Sequence, residues 1–324
     1  MQMPRPFSRL LIAIAAVAVT NCALAQGYPA KPVKLLVPFP PAGATDVVAR
    51  LVAQKLGERW GQSVVIENRP GAGGSIGSDL VAKSAPDGYT LLMATTSTHS
   101  IGPSLSKLPY DPIRDFAPVI QVANVPNVLT VSPTLDVRTV KELVALAKSR
   151  PGALNYGSSG QGTIVHLNSE LFKLIAGVDI QHIPYKGTAL AVPDLANGQI
   201  AMLFDSLASV MPHVRSNRAR PIAVNAERRS ALLPDVPTLT EAGMPEFNTS
   251  TWFGLFAPAG TPKDIVTRVQ ADVNAALQAS DLRERFASIG AEPVGGTSEQ
   301  FTARILSDTA RWAQVIKAAK VKIE

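Results

Sequence analysis

Three short stretches gather glycine, proline and hydroxyl side chains where strand-like sequence gives way to helix-like sequence: 38–46 (PFPPAGATD), 158–163 (SSGQGT) and 184–190 (PYKGTAL). The chemistry this pattern offers is anion binding. A helix N-terminus carries unpaired N–H groups and about half a positive charge, so it holds an anion without a cationic side chain. Glycine lets backbone approach a ligand closely, and serine or threonine hydroxyls donate or accept as required. In open α/β sheets ligands sit beyond the carboxyl ends of the strands, which is where Asp205 falls, after the apolar run 200–204. Two such corners facing each other across a cleft would grip a small anion at both ends.

Individual residues keep more than one role open. Asp46 either caps its helix, holds its loop in shape or accepts from a ligand ammonium. Lys186 is either a direct carboxylate contact or an exposed lysine, and Asp205 either ligates or orders the cleft. Phe39 and Trp252 either flank an aromatic ligand or pack. His166, near a helix start, and His99, after a strand, are candidates for ligand contact; neither has a carboxylate orienting partner nearby in sequence.

Other chemistries fail at particular residues. The run 71–76 (GAGGSI) has isoleucine where a dinucleotide fingerprint needs its third glycine, and no phosphate-binding G-x-x-x-x-G-K-[ST] occurs. A nucleophile elbow is spoiled by Gln161 in its last place. The four histidines, 99, 166, 182 and 213, share no metal-ligand spacing, so neither metal nor cofactor is expected. The sole cysteine, Cys22, lies in the N-terminal apolar segment, as a lipidation site or an ordinary signal residue. The rest of the chain therefore has no thiol nucleophile and no disulfide. A secreted hydrolase or transferase using Ser159 or Ser97 with His99 or His166 remains an alternative, with no positive feature behind it; the expectation is a protein that is not an enzyme.

The elements that must position these corners alternate along most of the chain. Strand-like 33–37, 63–67, 89–95, 154–157, 180–184 and 199–205 are interleaved with helix-like 46–60, 76–84, 166–176 and 188–196, a pattern that predicts α/β architecture with parallel sheets covered on both faces. Thr139 and Glu142 form a capping box, and Thr261 is expected to cap a helix with Pro262 at its first position. Two extended runs, 115–133 and 248–262, stand out as segments carrying the chain between lobes. The expected organisation is therefore two doubly wound α/β domains joined by two crossing segments. Residues 26–125 plus 250–324 form a discontinuous first domain and residues 126–249 the second, an arrangement that permits a hinge. A closing helix from about Ser298 aligns Phe301, Ile305, Trp312 and Ile316 on one stripe, expected to pack on the first domain.

The N-terminus reads as a secretory signal: Arg5 and Arg9, an apolar run over 10–19, and Ala23-Leu24-Ala25 as cleavage site, cut after Ala25. The net charge of +6 falls to +4 without Arg5 and Arg9 (29 basic against 25 acidic residues). The basic residues are scattered and not interleaved with aromatics, which argues against nucleic-acid binding.

Taken together, 28–92, LNYGSSGQGT (154–163), HIPYKGTAL (182–190), FDS (204–206), LPDVPTLTEAG (233–243) and WFGLFAPAGTP (252–262) resemble, in order, the Bug substrate-binding proteins of tripartite tricarboxylate transporters. The resemblance implies a two-lobed periplasmic binding protein fold of type II, located in the periplasm and working as a single subunit. Its ligand would be a small carboxylate: a di- or tricarboxylate, an acidic amino acid or an aromatic acid. Its partners would be the integral-membrane permease subunits, with a receptor for a membrane sensor as a variant. By position it implies ligand contacts from Phe39, Ala42, Gly43, Ala44, Thr45 and Asp46; from Ser97, Thr98 and His99; from Ser158, Ser159, Gly160, Gly162, Thr163 and His166; and from Lys186 and Asp205. Where the family's first loop usually has consecutive glycines, Ala42 and Ala44 flank Gly43 here.

Overall fold

The computed structural model describes residues 27–247 and 250–321; the expected signal segment, its cleavage point and Cys22 lie outside the described residues. The chain order begins β1 (Val33–Val37), α1 (Ala44–Trp60), β2 (Val64–Asn68), α2 (Ser75–Ala82) and β3 (Thr90–Thr95). A π-helical turn, Ser97–Ile101, leads into α3 (Gly102–Leu105). There follow β4 (Phe116–Val125), β5 (Asn127–Val131), α4 (Val140–Ser149), β6 (Leu154–Ser158), α5 (Ile164–Ala176), β7 (Ile180–Pro184), α6 (Thr188–Ala196), β8 (Met202–Ser206), α7 (Leu207–Arg215) and β9 (Arg220–Asn225). The chain closes with β10 (Thr251–Pro258), α8 (Lys263–Gln278), α9 (Ser280–Ser288), β11 (Glu292–Pro293) and α10 (Ser298–Ala318).

Two sheets result. One has six strands in the order β11-β4-β10-β3-β1-β2, the other five in the order β7-β6-β8-β5-β9. The expectation of parallel sheets is corrected to mixed ones: β1 pairs parallel with β2 and β3, and β6 with β7 and β8, but β10, β5 and β11 run antiparallel to their neighbours. The cause is topological. β1, β3 and β8 run toward the space between the sheets, whereas β5 and β10 start there after the chain has crossed from the other lobe. Pro126, which cannot donate a ladder hydrogen bond, separates β4 of one sheet from β5 of the other.

Helix starts follow local chemistry. Thr139 and Glu142 make the predicted capping box, and Thr297 with Gln300 makes a second one for α10. Thr261 does not cap α8: its hydroxyl donates back to the Pro258 carbonyl at 2.8 Å, and Pro262 itself occupies the cap position. The first lobe is tied laterally by buried Asp272, which accepts from Trp60 Nε1 (2.8 Å) and from Arg59 and Arg268.

The apolar stripe of α10 is divided between lobes. Phe301 and Ile305 pack with Leu36, Leu92 and Trp252 of the six-stranded lobe. Trp312 and Ile316 instead join the cluster holding Ile164, Phe172 and Leu239 of the other, where α10 lies against α5. The close seat on the first sheet depends on Gly254 of β10, where an added Cβ would stand 2.1 Å from the Phe301 ring. Burying each of these large side chains contributes roughly 1.5–3 kcal/mol.

Candidate functional site

A cleft of about 590 Å³, its open mouth included, lies between the sheets. Four helices begin at its wall. The starts of α1 (Gly43, Ala44, Thr45), α5 (Ile164, Val165), α6 (Gly187, Thr188, Ala189) and α7 (Ser206) all line it. Only α7 is capped by its own N-cap side chain, Ser206 Oγ accepting from Ser209 N at 3.3 Å. The N-cap residues of α1, α5 and α6 make no side-chain cap. Their first-turn N–H groups are therefore left to other acceptors, one of which is seen: Ser97 Oγ, which takes Ile164 N of α5.

The corner between β1 and α1 is held from behind by Asp46. Its carboxylate accepts from Ala42 N (3.0 Å), Arg50 Nε (2.9 Å) and Asn68 Nδ2 (3.0 Å), while Asn68 also donates to the Phe39 carbonyl. Burial pushes this carboxyl up, but the hydrogen bonds from Arg50, Ala42 and Asn68 outweigh it and hold it below the ordinary carboxylate range. Ala42 sits at φ 64°, a left-handed conformation that the corner imposes on a non-glycine residue. Phe39, Gly43, Ala44 and Thr45 face the cleft; Ala42 and Asp46 do not.

The corner between β6 and α5 is built differently. Ser158 is fully buried; its Oγ lies 2.7 Å from His182 Nε2 and accepts from Gly160 N at 3.1 Å. Gly160 at φ 124° and Gly162 at φ 75° make a turn that other residues adopt only under strain. Thr163 Oγ1 donates to the Gly160 carbonyl, and Gly162 N donates to His166 Nδ1 at 3.1 Å. The His166 ring stacks on His182 (centroids 4.2 Å apart, 14° between planes), and His182 stacks on Tyr156. Burial lowers both histidines to about 4, so both are neutral near pH 7. Ser159 faces the cleft; Ser158, Gly160, Gly162, Thr163 and His166 support it from behind.

The end of β3 contributes Thr95 and Ser97 to the wall. Ser97 Oγ accepts from Ile164 N at 3.0 Å, so a hydroxyl of one lobe satisfies the first turn of α5 in the other. Thr98 turns inward, accepting from Thr95 N and lying 2.9 Å from His99 Nδ1. His99 is not brought to the cleft: it is fully buried against Phe116 and Phe256, with ring centroids 4.7 and 4.2 Å away, and burial lowers it to about 3. Lys186 is likewise absent from the wall and exposed, while its neighbour Gly187 takes the place expected for it. Trp252 is fully buried and packs edge-on to Phe301, outside the cleft lining.

Several lining residues escape the sequence reading. Asn127 and Thr251 come from the two crossing segments and meet through Asn127 Nδ2 to Thr251 Oγ1 (3.1 Å). Thr188, Ser206 and Phe253 also line the wall. His182 had a readable signal: β6 and β7 pair in parallel with Tyr156 opposite His182, so both side chains emerge on one face beside Ser158. Among the described residues that line the cleft, Asp205 alone is charged. No group of three or more potential metal ligands occurs among the described residues, and no described helix is long and apolar enough to cross a membrane.

Residues 48–321 match the family described as the tripartite tricarboxylate transporter family receptor. Protein BugT of Bordetella pertussis is 41% identical over 326 residues, covering all of both chains. Among solved structures, the R. palustris protein Rpa4515 with adipate superposes with a TM-score of 0.89 at 41% identity, covering 91% of this chain and 99% of that one. MatC of Rhodopseudomonas palustris with bound malate gives 0.84 at 33% identity, covering 89% and 100%.

Proposed function

The chain belongs to the tripartite tricarboxylate transporter receptor family, and from that premise we propose that it captures a small carboxylate in the cleft between its lobes and delivers it to that transporter's membrane permease. It is a periplasmic solute-binding receptor by family; export by cleavage after Ala25 is the route we propose. The observation that carries the ligand class is the convergence of four helix N-termini on one cleft, three of them without a cap from their own N-cap side chain. Backbone N–H groups and helix dipoles supply the positive potential that no lysine or arginine among the described lining residues supplies. Adipate and malate in the two related structures support the same class, one a plain dicarboxylate and the other hydroxylated.

The geometry gives the hydrolase alternative little support. Ser158, the serine bonded to a histidine, is buried behind the wall. Among the described residues no hydrogen bond joins Ser159 or Ser97 to a histidine, and His99 faces an aromatic core. The test is a thermal-shift screen of residues 26–324 against dicarboxylates, tricarboxylates, acidic amino acids and aromatic acids. Ligand at a hundredfold excess over its Kd should stabilise the protein by about 2.7 kcal/mol, with no product formed. The proposal fails if no carboxylate raises the melting temperature, or if one is converted in a reaction that Ser159→Ala abolishes.

A further inference from the structure

Four aspartates are buried among the described residues: Asp46, Asp205, Asp272 and Asp308. Three of them hold an arginine, Asp46 with Arg50, Asp272 with Arg59 and Arg268, and Asp308 with Arg304. Asp205 pairs with no cation among the described residues. It is the penultimate residue of β8, just before the start of α7, is 4% exposed, and lines the cleft. Its Oδ1 accepts from Ser206 N at 2.8 Å; the Ser209 and Thr188 hydroxyls lie near the carboxyl, yet no described donor stands in hydrogen-bonding geometry to its buried Oδ2. An unpaired buried carboxylate oxygen is expensive; groups of this kind are ordinarily satisfied or used.

Nothing around it removes the charge. The groups nearest its carboxyl are Ser206 at the end of β8, Ser209 of α7 and Thr188 of α6, and across the ladder on β5 its partner is Val128. None of these is ionisable. Burial raises the carboxyl to about 6, with Ser209, the Ser206 amide and Thr188 pulling it partly back. A second buried acceptor of the same wall, Asn127 Oδ1, also lacks a donor. The cleft thus combines helix N-termini that attract carboxylate with acceptors that a bare carboxylate cannot satisfy.

We propose that Asp205 is the specificity-determining residue of the cleft: its free Oδ2 accepts a hydrogen bond from a donor carried by the ligand, so the protein selects carboxylates bearing a hydroxyl or ammonium group over their unsubstituted parents. This rests on the carboxylate-receptor function proposed above. The substrate class narrows accordingly to small hydroxy- or amino-substituted acids. Unsubstituted acids leave Oδ2 unsatisfied or set two acceptors against each other, and can enter only if Asp205 takes up a proton.

The test uses two matched series, succinate with malate and aspartate, and glutarate with 2-hydroxyglutarate and glutamate, titrated calorimetrically into residues 26–324. In whichever series binds, the hydroxy or amino acid is expected to bind at least tenfold tighter than its parent. In Asp205→Asn that ratio should fall below about threefold. The variant should melt no lower than the wild type at pH 8, because the substitution removes an uncompensated buried charge and keeps the shape. Wild-type protein alone supplies an independent measurement. At pH 6, titrations in buffers of different ionisation enthalpy should show proton release with the substituted acids and proton uptake with the parents. His166 and His182, held near 4, add little in that range.

Parents that bind as tightly as the substituted acids, a preference that survives in Asp205→Asn, or proton uptake with every ligand would each overturn the assignment while leaving the receptor function standing. Failure of all six acids to bind while another carboxylate raises the melting temperature would overturn the assignment alone; failure of every carboxylate in the thermal screen would remove both.

Discussion

The two corners that face each other across the cleft have the same local plan, a strand ending in a proline- or glycine-rich turn that opens a helix, yet they are held in opposite ways. The corner between β1 and α1 is braced within its own lobe by Asp46, which gathers Ala42, Arg50 and Asn68. The corner between β6 and α5 depends on two stacked, neutral histidines and on Ser97, a residue of the other lobe. One half of the site is thus braced within its own lobe; the other takes an acceptor from across the cleft. In a receptor that opens and closes, such asymmetry lets one lobe present a fixed surface while the other registers closure.

The largest effect that would break this contrast is expected from Asp46→Ala. It leaves the Ala42 amide, Arg50 and Asn68 without their shared acceptor, and should destabilise the protein by about 3 kcal/mol. Ligand affinity should fall a hundredfold or more by calorimetry. If affinity is retained, the first corner does not need its brace. Ser97→Ala should act differently, removing an acceptor that reaches α5 from the other lobe. The closed state should lose about 1–1.5 kcal/mol, so affinity falls roughly tenfold while the melting temperature of the empty protein barely moves. A large drop in the empty protein's melting temperature would show that Ser97 is an ordinary structural hydroxyl.

Acid should separate the corners next. His166 and His182 titrate near 4 when folded and near 6.5 when unfolded, so the unfolded chain binds more protons between those values. Their contribution to stability is fully present above about pH 6.5 and is lost as pH falls toward 4. Protonation at His166 Nδ1 also removes the acceptor for Gly162 N, so affinity should weaken in the same window. The double variant His166→Gln/His182→Gln should melt lower at pH 7 yet show a flatter dependence between pH 4 and 6.5. An unchanged slope would locate the acid sensitivity elsewhere. The smallest effect is expected from Lys186→Ala: exposed and outside the cleft wall, this lysine should alter affinity less than twofold. A tenfold loss would mean that it swings onto the ligand.

Much of the frame was legible along the chain. Alternating strand and helix patterns located the corners, because capping residues, prolines and glycines act on the backbone within a few residues of themselves. Thr139 with Glu142 behaved as read. Thr261 did not: with Pro262 after it, its hydroxyl found the nearer Pro258 carbonyl, a choice between two local partners that sequence leaves open. The mixed strand directions were hidden because direction depends on which lobe a strand arrives from, a property of the crossings rather than of any segment.

What the sequence alone determined is where most of the helices begin, since that follows from residue types at short separation. Tertiary structure decided which side chains meet the ligand space. It buried His99 among phenylalanines, left Lys186 outside, drew in Asn127 and Thr251 from the crossings, and divided the α10 stripe between two lobes. It also left Asp205, alone among the buried aspartates described, without an arginine. The physical reason is range: backbone preference is settled over a few residues, whereas burial and pairing are settled by surfaces that lie a hundred or more residues apart in the chain and touch only once the fold is complete.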